Sequence, residues 1–170
     1  MEELQSVEAI FDKGVILRKT GNPKESISYF NKVLETNPDH LDALLNKGHA
    51  LGKLGKYNDA IVCYDKVLKI DHNNVLALIN IGLCYHYLRK YEKAISCYDK
   101  ILETCPQHAN TLYHKACSKA LQSKFDESVD LLEQAIKLDL TFRLKARGDL
   151  DFDKIRNNER FMKLVTNWKN

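Results

Sequence analysis

Apolar residues in this chain recur at helical spacing in pairs of stretches that are separated by short polar breaks. Leu44, Gly48 and Leu51 mark one stretch, and Tyr64 and Val67 mark the one that follows. Each stretch has a single apolar face, as in a helix that packs on one side. The pattern therefore predicts helical hairpins, each made of two helices joined by a short turn.

The hairpin pattern repeats every 34 residues. A shift of 34 residues superimposes the sequence Cys-Tyr-Asp-Lys at 63–66 on the same sequence at 97–100, and places Gly14 on Gly48 and then on Gly82. Because one hairpin cannot bury its apolar face alone, consecutive hairpins are expected to stack. The predicted organisation is an N-terminal extension at 1–6, four units at 7–40, 41–74, 75–108 and 109–142, and a C-terminal cap at 143–170.

Small, aromatic and proline residues recur at fixed places in these units. The eighth, twentieth, twenty-fourth and thirty-second places hold Gly14, Ser26, Phe30 and Pro38 in the first unit, Gly48, Ala60 and Tyr64 in the second, and Gly82, Ala94, Tyr98 and Pro106 in the third. This pattern resembles the tetratricopeptide repeat (TPR). The fourth unit departs most, with Ala116, Ser128 and Leu132 and no proline, although Phe125 keeps an aromatic residue. The resemblance implies an all-α, right-handed α-solenoid of antiparallel helix pairs.

The C-terminal piece carries an apolar stripe at i, i+3, i+4 and i+7, formed by Phe161, Leu164, Val165 and Trp168. Residues 148–161 also resemble the tail motif that closes many proteins of this family, with Glu159 in place of a proline. We expect a capping helix on the fourth unit. The alternative is a docking patch for an acidic partner, formed by Arg156, Arg160 and Lys163.

The resemblance further implies that the first helix of every hairpin lines a groove. Asn46 and Asn80 match the asparagine ladder with which some family members hold an extended peptide, since an amide offers both donors and an acceptor. Hydrated surface asparagines are the plain alternative. The predicted groove residues are Phe11, Asp12, Val15, Leu45, Asn46, His49, Ile79, Asn80, Leu83, Tyr87, Tyr113 and His114.

The basic carboxylate clamp of chaperone-binding family members is disfavoured, because its places hold Phe11, Val15, Leu76 and Asn80. Charge in the predicted groove is nevertheless asymmetric, with acids near one rim and bases near the other. Either this asymmetry orients a peptide or the charges only complement the helix dipoles. The charged residues are Glu8 and Asp42 on one side, and Arg18, Lys19 and Lys53 on the other.

Composition agrees with one globular unit in a reducing compartment. The 170 residues are 44% apolar and 29% charged, with a net charge of +3 that gives little reason to expect nucleic acid. The acidic start and the lack of a long apolar run predict a cytoplasmic protein without a membrane segment. Five cysteines without a C-x-x-C pair suggest neither disulfides nor a zinc site.

Catalytic chemistry has no sequence support, since the chain lacks a phosphate-binding loop, a G-x-S-x-G turn and an H-E-x-x-H pair. We expect no enzyme activity, no cofactor and no metal site. The leading hypothesis is an adaptor that binds a protein or peptide in the groove. Self-association through the fourth unit and the C-terminal helix is the alternative, and RNA binding by the basic tail, with eight Lys/Arg against four Asp/Glu at 143–170, is a weaker one.

Overall fold

The computed structural model of the protein describes residues 6–166, and every regular element in that range is helical. Eight helices of 13 or 14 residues come first, and three short elements follow them. The elements are α1 (Val7–Lys19), α2 (Pro23–Thr36), α3 (Leu41–Lys53), α4 (Tyr57–Ile70), α5 (Val75–Tyr87), α6 (Tyr91–Thr104), α7 (Ala109–Leu121), α8 (Phe125–Leu138), α9 (Thr141–Gly148), a 3-10 helix (Leu150–Ile155) and α10 (Glu159–Thr166).

Contacts between helices divide the chain into two compact units, Met1–Leu88 and Arg89–Asn170. In the first unit, each of the helices α1 to α5 packs against the next, and the first helices α1, α3 and α5 also contact one another in sequence order. In the second unit, α6, α7 and α8 pack in chain order, and the short C-terminal elements pack on α7 and α8. Sequential packing of helix pairs within each unit is the arrangement of an α-solenoid, and the predicted all-helical class is confirmed.

Close approach of the paired helices depends on the small residues that the repeat pattern singled out. A Cβ atom on Gly48 would lie 2.6 Å from Cε1 of Tyr64, and one on Gly14 would lie 2.8 Å from Cε1 of Phe30. Both rings are buried. Because each glycine lacks a Cβ atom, the ring from the facing helix can occupy the space where that atom would lie. The twentieth place of every unit is fully buried as well: Ser26, Ala60, Ala94 and Ser128.

The first helix of each unit begins with a side-chain cap from the residue directly before that unit. Nδ1 of His40 accepts a hydrogen bond from the backbone N–H of Ala43 at 3.3 Å, and the side-chain oxygen of Asn74 accepts the equivalent bond from Ala77 at 2.9 Å. Such caps satisfy backbone donors that have no partner in the first helical turn. The four capping residues, 34 positions apart, are Ser6, His40, Asn74 and His108.

The turn inside each hairpin requires one residue in the left-handed region, also at 34-residue intervals. Gly21 and Gly55 occupy it with φ of 87° and 73°, and Arg89 and Ser123 occupy it with φ of 58° and 63°. Glycine adopts this conformation without the steric cost that a Cβ atom brings. The third and fourth turns therefore carry local backbone strain that the first two avoid.

The cap consists of three short elements rather than one continuous helix. Phe152 and Phe161 are buried, with ring centroids 5.4 Å apart, and Val165 is buried against the same apolar cluster. Leu164 packs beside them half-buried, which supports the predicted stripe, whereas Trp168 lies outside the described residues. The cap thus continues the apolar core of α7 and α8.

Candidate functional site

Ten of the twelve predicted groove residues belong to the Met1–Leu88 unit, on helices α1, α3 and α5. The structure gathers four of them, His49, Asn80, Leu83 and Tyr87, around one open cleft of about 380 Å³. We call this hollow the α3–α5 cleft. Its remaining lining comes from Gly52, Lys53, Tyr57, Tyr64 and Cys84.

One wall of the α3–α5 cleft is aromatic and apolar. The rings of Tyr57 and Tyr87 stack with centroids 5.2 Å apart and planes only 14° from parallel. Leu83 lies half-buried beside them, and the ring of Tyr87 remains largely exposed. The wall can therefore receive an apolar side chain, as aromatic surfaces at protein interfaces commonly do. The repeat register did not assign Tyr57 to the groove, because Tyr57 begins a second helix and only first helices were expected to line the groove.

The cleft also has a cationic residue, Lys53, in its lining. Burial lowers the pKa of His49 below its ordinary value, and the nearby charges of Arg18 and Lys53 lower it further. The imidazole is therefore neutral at physiological pH and able to donate or accept a hydrogen bond. The cleft combines an apolar wall with a cationic rim, and it lies where the sequence predicted the basic side of the groove.

The two asparagines of the predicted ladder already use one donor within their own helices. Nδ2 of Asn46 donates to the carbonyl oxygen of Asp42 at 2.8 Å, and Nδ2 of Asn80 donates to the carbonyl oxygen of Leu76 at 2.7 Å. Each amide keeps its oxygen and a second N–H for another partner. A peptide held at both groups is possible without breaking these bonds. Of the two asparagines, Asn80 lines the cleft.

The remaining predicted residues on α1 and α3 are less accessible or lie outside the cleft lining. Phe11 packs in the apolar core, stacking on His40 with centroids 5.2 Å apart and contacting Phe30 at 5.9 Å. Val15 packs against the same cluster. Asp12 is exposed and Leu45 is half-buried. On α5, Ile79 is buried, so it supports the helix packing rather than offering a surface.

In the Arg89–Asn170 unit, the structure corrects the prediction that Tyr113 lines a groove. Its ring is fully buried, stacked on Phe142 at 4.8 Å, and its hydroxyl donates to Oδ2 of Asp149 at 2.6 Å. Nζ of Lys145 lies 4.3 Å from the ring centroid. The cap folds back over α7 and covers Tyr113. The repeat register could not predict this contact. His114 next to it is half-buried.

The same fold-back brings together one group of potential metal ligands that no spacing in the sequence indicated. Ligand atoms of Cys117, Asp149 and Asp151 lie within 4.8 Å of one another in the described part of the chain. Burial raises the pKa of Cys117 well above its usual value, and Asp149 already accepts hydrogen bonds from Tyr113 and from the backbone of Asp151. A protonated thiol is a poor metal ligand. These contacts explain why the three side chains lie close together, because they hold the cap against α7.

Three cationic side chains of the cap make contacts within the molecule. Arg160 contacts Asp130 at 2.6 Å, and Lys163 contacts Glu159 at 2.7 Å. Arg156 pairs with Asp153 and also donates to the carbonyl oxygen of Arg147 at 2.7 Å. The three residues of the alternative docking patch therefore stabilise the cap, which leaves less unpaired charge for an acidic partner or for RNA.

Two ionisable side chains that line the α3–α5 cleft, Cys84 and Tyr64, are held in their neutral forms by burial. Burial raises the pKa of Cys84 to about 11, so its thiol is protonated at neutral pH and unreactive. Burial likewise raises the pKa of Tyr64. No helix within residues 6–166 is long and apolar enough to span a bilayer. The cleft is suited to binding by contact and hydrogen bonding.

Helical repeat proteins of solved structure share this fold. A form of MamA from Desulfovibrio magneticus RS-1 superimposes with a TM-score of 0.75 at 20% identity, covering 94% of this chain and 93% of that one. A tetratricopeptide repeat protein from Parabacteroides merdae superimposes with a TM-score of 0.76 at 19% identity, covering 93% of this chain and 63% of that one. No curated protein sequence matches the chain. The class is therefore the α-solenoid of paired helices.

The family follows from the sequence profile of the tetratricopeptide repeat, which matches residues 7–40, 41–74 and 75–108. These matches cover more than half of the chain, and the chain belongs to the tetratricopeptide repeat family. Members of this family are protein-interaction scaffolds, so the general function is protein binding. The fourth hairpin, α7 and α8, has the same helical arrangement, although the profile matches end at residue 108.

Proposed function

We propose that the protein is an adaptor that binds a segment of a partner protein in the α3–α5 cleft of the Met1–Leu88 unit. The observation that carries this proposal is the composition of the cleft: a stacked aromatic wall, the free oxygen of an amide and a cationic rim around one hollow. Interfaces are enriched in such aromatic and cationic side chains. The rigid helices that hold them favour a preformed site.

A test compares the native chain with a variant whose cleft is filled. Gly52 lines the cleft, and a Cβ atom at this position would meet nothing within 4 Å, so Gly52→Trp places a ring in the hollow without a clash at its Cβ. The matched control is Val62→Trp, on the exposed face of α4. Proteins captured from cell extract are quantified by mass spectrometry, after circular dichroism has shown that both variants fold.

The proposal requires at least one captured protein that the Val62→Trp variant retains and the Gly52→Trp variant loses. The captured partner is then reduced to a peptide and titrated against the same three chains. Capture that is unaffected by Gly52→Trp, or lost only with Val62→Trp, would contradict the proposed place of binding.

Self-association is a second candidate, and exposed leucines of the cap favour it. Leu144 and Leu150 are 73% and 75% exposed, and Leu138, Leu140 and Met162 are exposed in the same C-terminal part of the chain. A group of several exposed apolar residues, such as these five, often belongs to an interface. Sedimentation over a hundredfold concentration range is the test. A constant monomer mass would exclude this candidate, and a mass that falls on Leu144→Ser with Leu150→Ser would support it.

The domain organisation and the compartment complete the proposal. We propose four repeats at 7–142 that are closed by the cap at 143–170, because the buried cap residues continue the core of the last hairpin. A cytoplasmic location is supported by the five cysteines, which are all free thiols.

A further inference from the structure

Two cations near the α3–α5 cleft lie in the last turns of the neighbouring first helices α1 and α3. Lys53, in the last turn of α3, lines the cleft directly, and Arg18, in the last turn of α1, lies close enough to His49 and Tyr64 for its charge to affect both. The favourable interaction of bases with a helix C-terminus explains why each helix ends with one. It does not explain why the charge of Arg18 lies near two residues of the cleft lining, His49 and Tyr64.

Neither cation has an acidic partner within residues 6–166. Nε of Arg18 is buried from solvent and makes no hydrogen bond there. Such a group is costly, because its hydration is lost without a replacement. Cations of the Arg89–Asn170 unit contrast with this, since six of them lie within 4 Å of a carboxylate: Lys115, Lys119, Lys137, Arg156, Arg160 and Lys163.

We infer that the segment bound in the α3–α5 cleft carries an acidic side chain, which pairs with Arg18 and Lys53, next to an apolar side chain that packs on Leu83 and the Tyr57–Tyr87 stack. This inference rests on the proposed function and specifies its partner. The carboxylate pairs with the guanidinium group of Arg18, which has no acidic partner within residues 6–166, and the side-chain oxygen of Asn80 accepts a backbone N–H of the segment.

The assigned subsite differs from the carboxylate clamp of chaperone-binding family members. The clamp places on α1 hold Phe11 and Val15, which pack into the apolar core and leave no cation there. Arg18 lies one turn further along α1 than Val15, in the last turn of the helix. An acidic residue within a chain is therefore as suitable a ligand as a terminal carboxylate.

The experiment uses a displayed library of random dodecapeptides, selected on the full chain. Peptides that bind the native chain but not the Gly52→Trp variant are the cleft binders. Their affinities are then measured by fluorescence anisotropy against Arg18→Gln with Lys53→Gln, and against the matched control Lys66→Gln with Lys69→Gln, which removes the same charge from exposed places on α4. Lys53→Gln alone, at an exposed position, covers the case in which loss of Arg18 disturbs folding.

We expect most cleft binders to contain Asp or Glu beside an apolar residue. Their affinity should fall about tenfold or more on the Arg18 and Lys53 replacements, the order expected for a charge-assisted pair, and should not change with the α4 control. Replacement of the acidic residue by its amide should cause a similar loss. Cleft binders without acidic residues, indifferent to Arg18 and Lys53, would overturn the inference while leaving the proposed function intact. A selection that yields no peptide sensitive to Gly52→Trp would overturn both.

Discussion

Replacement of Gly48 by alanine tests the packing on which every hairpin depends. The added Cβ atom would lie 2.6 Å from Cε1 and 2.7 Å from Cζ of Tyr64, whose ring is only 2% exposed and cannot move outward freely. Overpacking of this kind costs about 1–3 kcal/mol, and such short contacts place it near the upper end. Alanine returns about 1 kcal/mol through its better helix propensity. The net loss of unfolding free energy should be about 2 kcal/mol.

Gly52, four residues further along the same helix, provides the control. A Cβ atom there meets nothing within 4 Å, so Gly52→Ala should stabilise the protein by about 1 kcal/mol. Urea unfolding followed by circular dichroism measures both variants. The double variant Gly48→Ala with Tyr64→Leu, compared with Tyr64→Leu alone, should show a smaller cost than Gly48→Ala does in the native chain, since the contacting ring atoms are gone. Equal effects of the two alanine substitutions would refute the packing argument.

Substitutions at four further positions probe the turn, the cap of a helix, the C-terminal cap and the cleft. Ser123→Gly should stabilise the protein by about 0.5–1 kcal/mol, because φ at this turn is 63° and glycine adopts this conformation without steric cost. A lower melting temperature for this variant would contradict the inferred backbone strain. His40→Ala should cost about 1 kcal/mol in urea unfolding through loss of the N-cap, whereas His40→Asn should restore it. Tyr113→Phe should lower the free energy of unfolding by about 1.5–3 kcal/mol, because Asp149 loses the hydrogen bond from a buried hydroxyl. An unchanged unfolding midpoint would argue that this hydrogen bond does not hold the cap on α7. The lowered pKa of His49 means that the unfolded chain takes up the proton first, so stability is complete above pH 6.5 and falls below it. The variant His49→Gln should lose that part of the decline, and parallel pH profiles for the two chains would contradict the assignment.

The regular part of the fold could be predicted from the sequence because it depends on local spacing. A 34-residue period with Gly48 and Tyr64 at fixed places requires two helices that cross closely, and the structure confirms both the helices and the crossing. The caps and turns follow the same period, with His40 at a cap and Ser123 at a turn, although neither residue type suggests its role by itself. Their meaning emerges only when the backbone conformation is known.

The candidate site was predicted only in part. Asn80 and Leu83 could be placed on a first helix by register, but the cleft also needs Tyr57 from the preceding second helix, whose approach depends on how α4 and α5 pack. Tyr113 was misplaced for the complementary reason. The repeat register predicted a surface position, but Tyr113 is buried because the cap, with Asp149 36 residues further along the chain, folds back over it.

The sequence by itself determined the hairpins, their period and the residues that allow their helices to approach, because these depend on interactions within one or two repeats. Only the tertiary structure decided which side chains share the α3–α5 cleft, which cations remain without an acidic partner there, and how the C-terminal elements fasten to α7. These features depend on distances between groups far apart in the chain, and such distances are set by packing rather than by residue type or spacing.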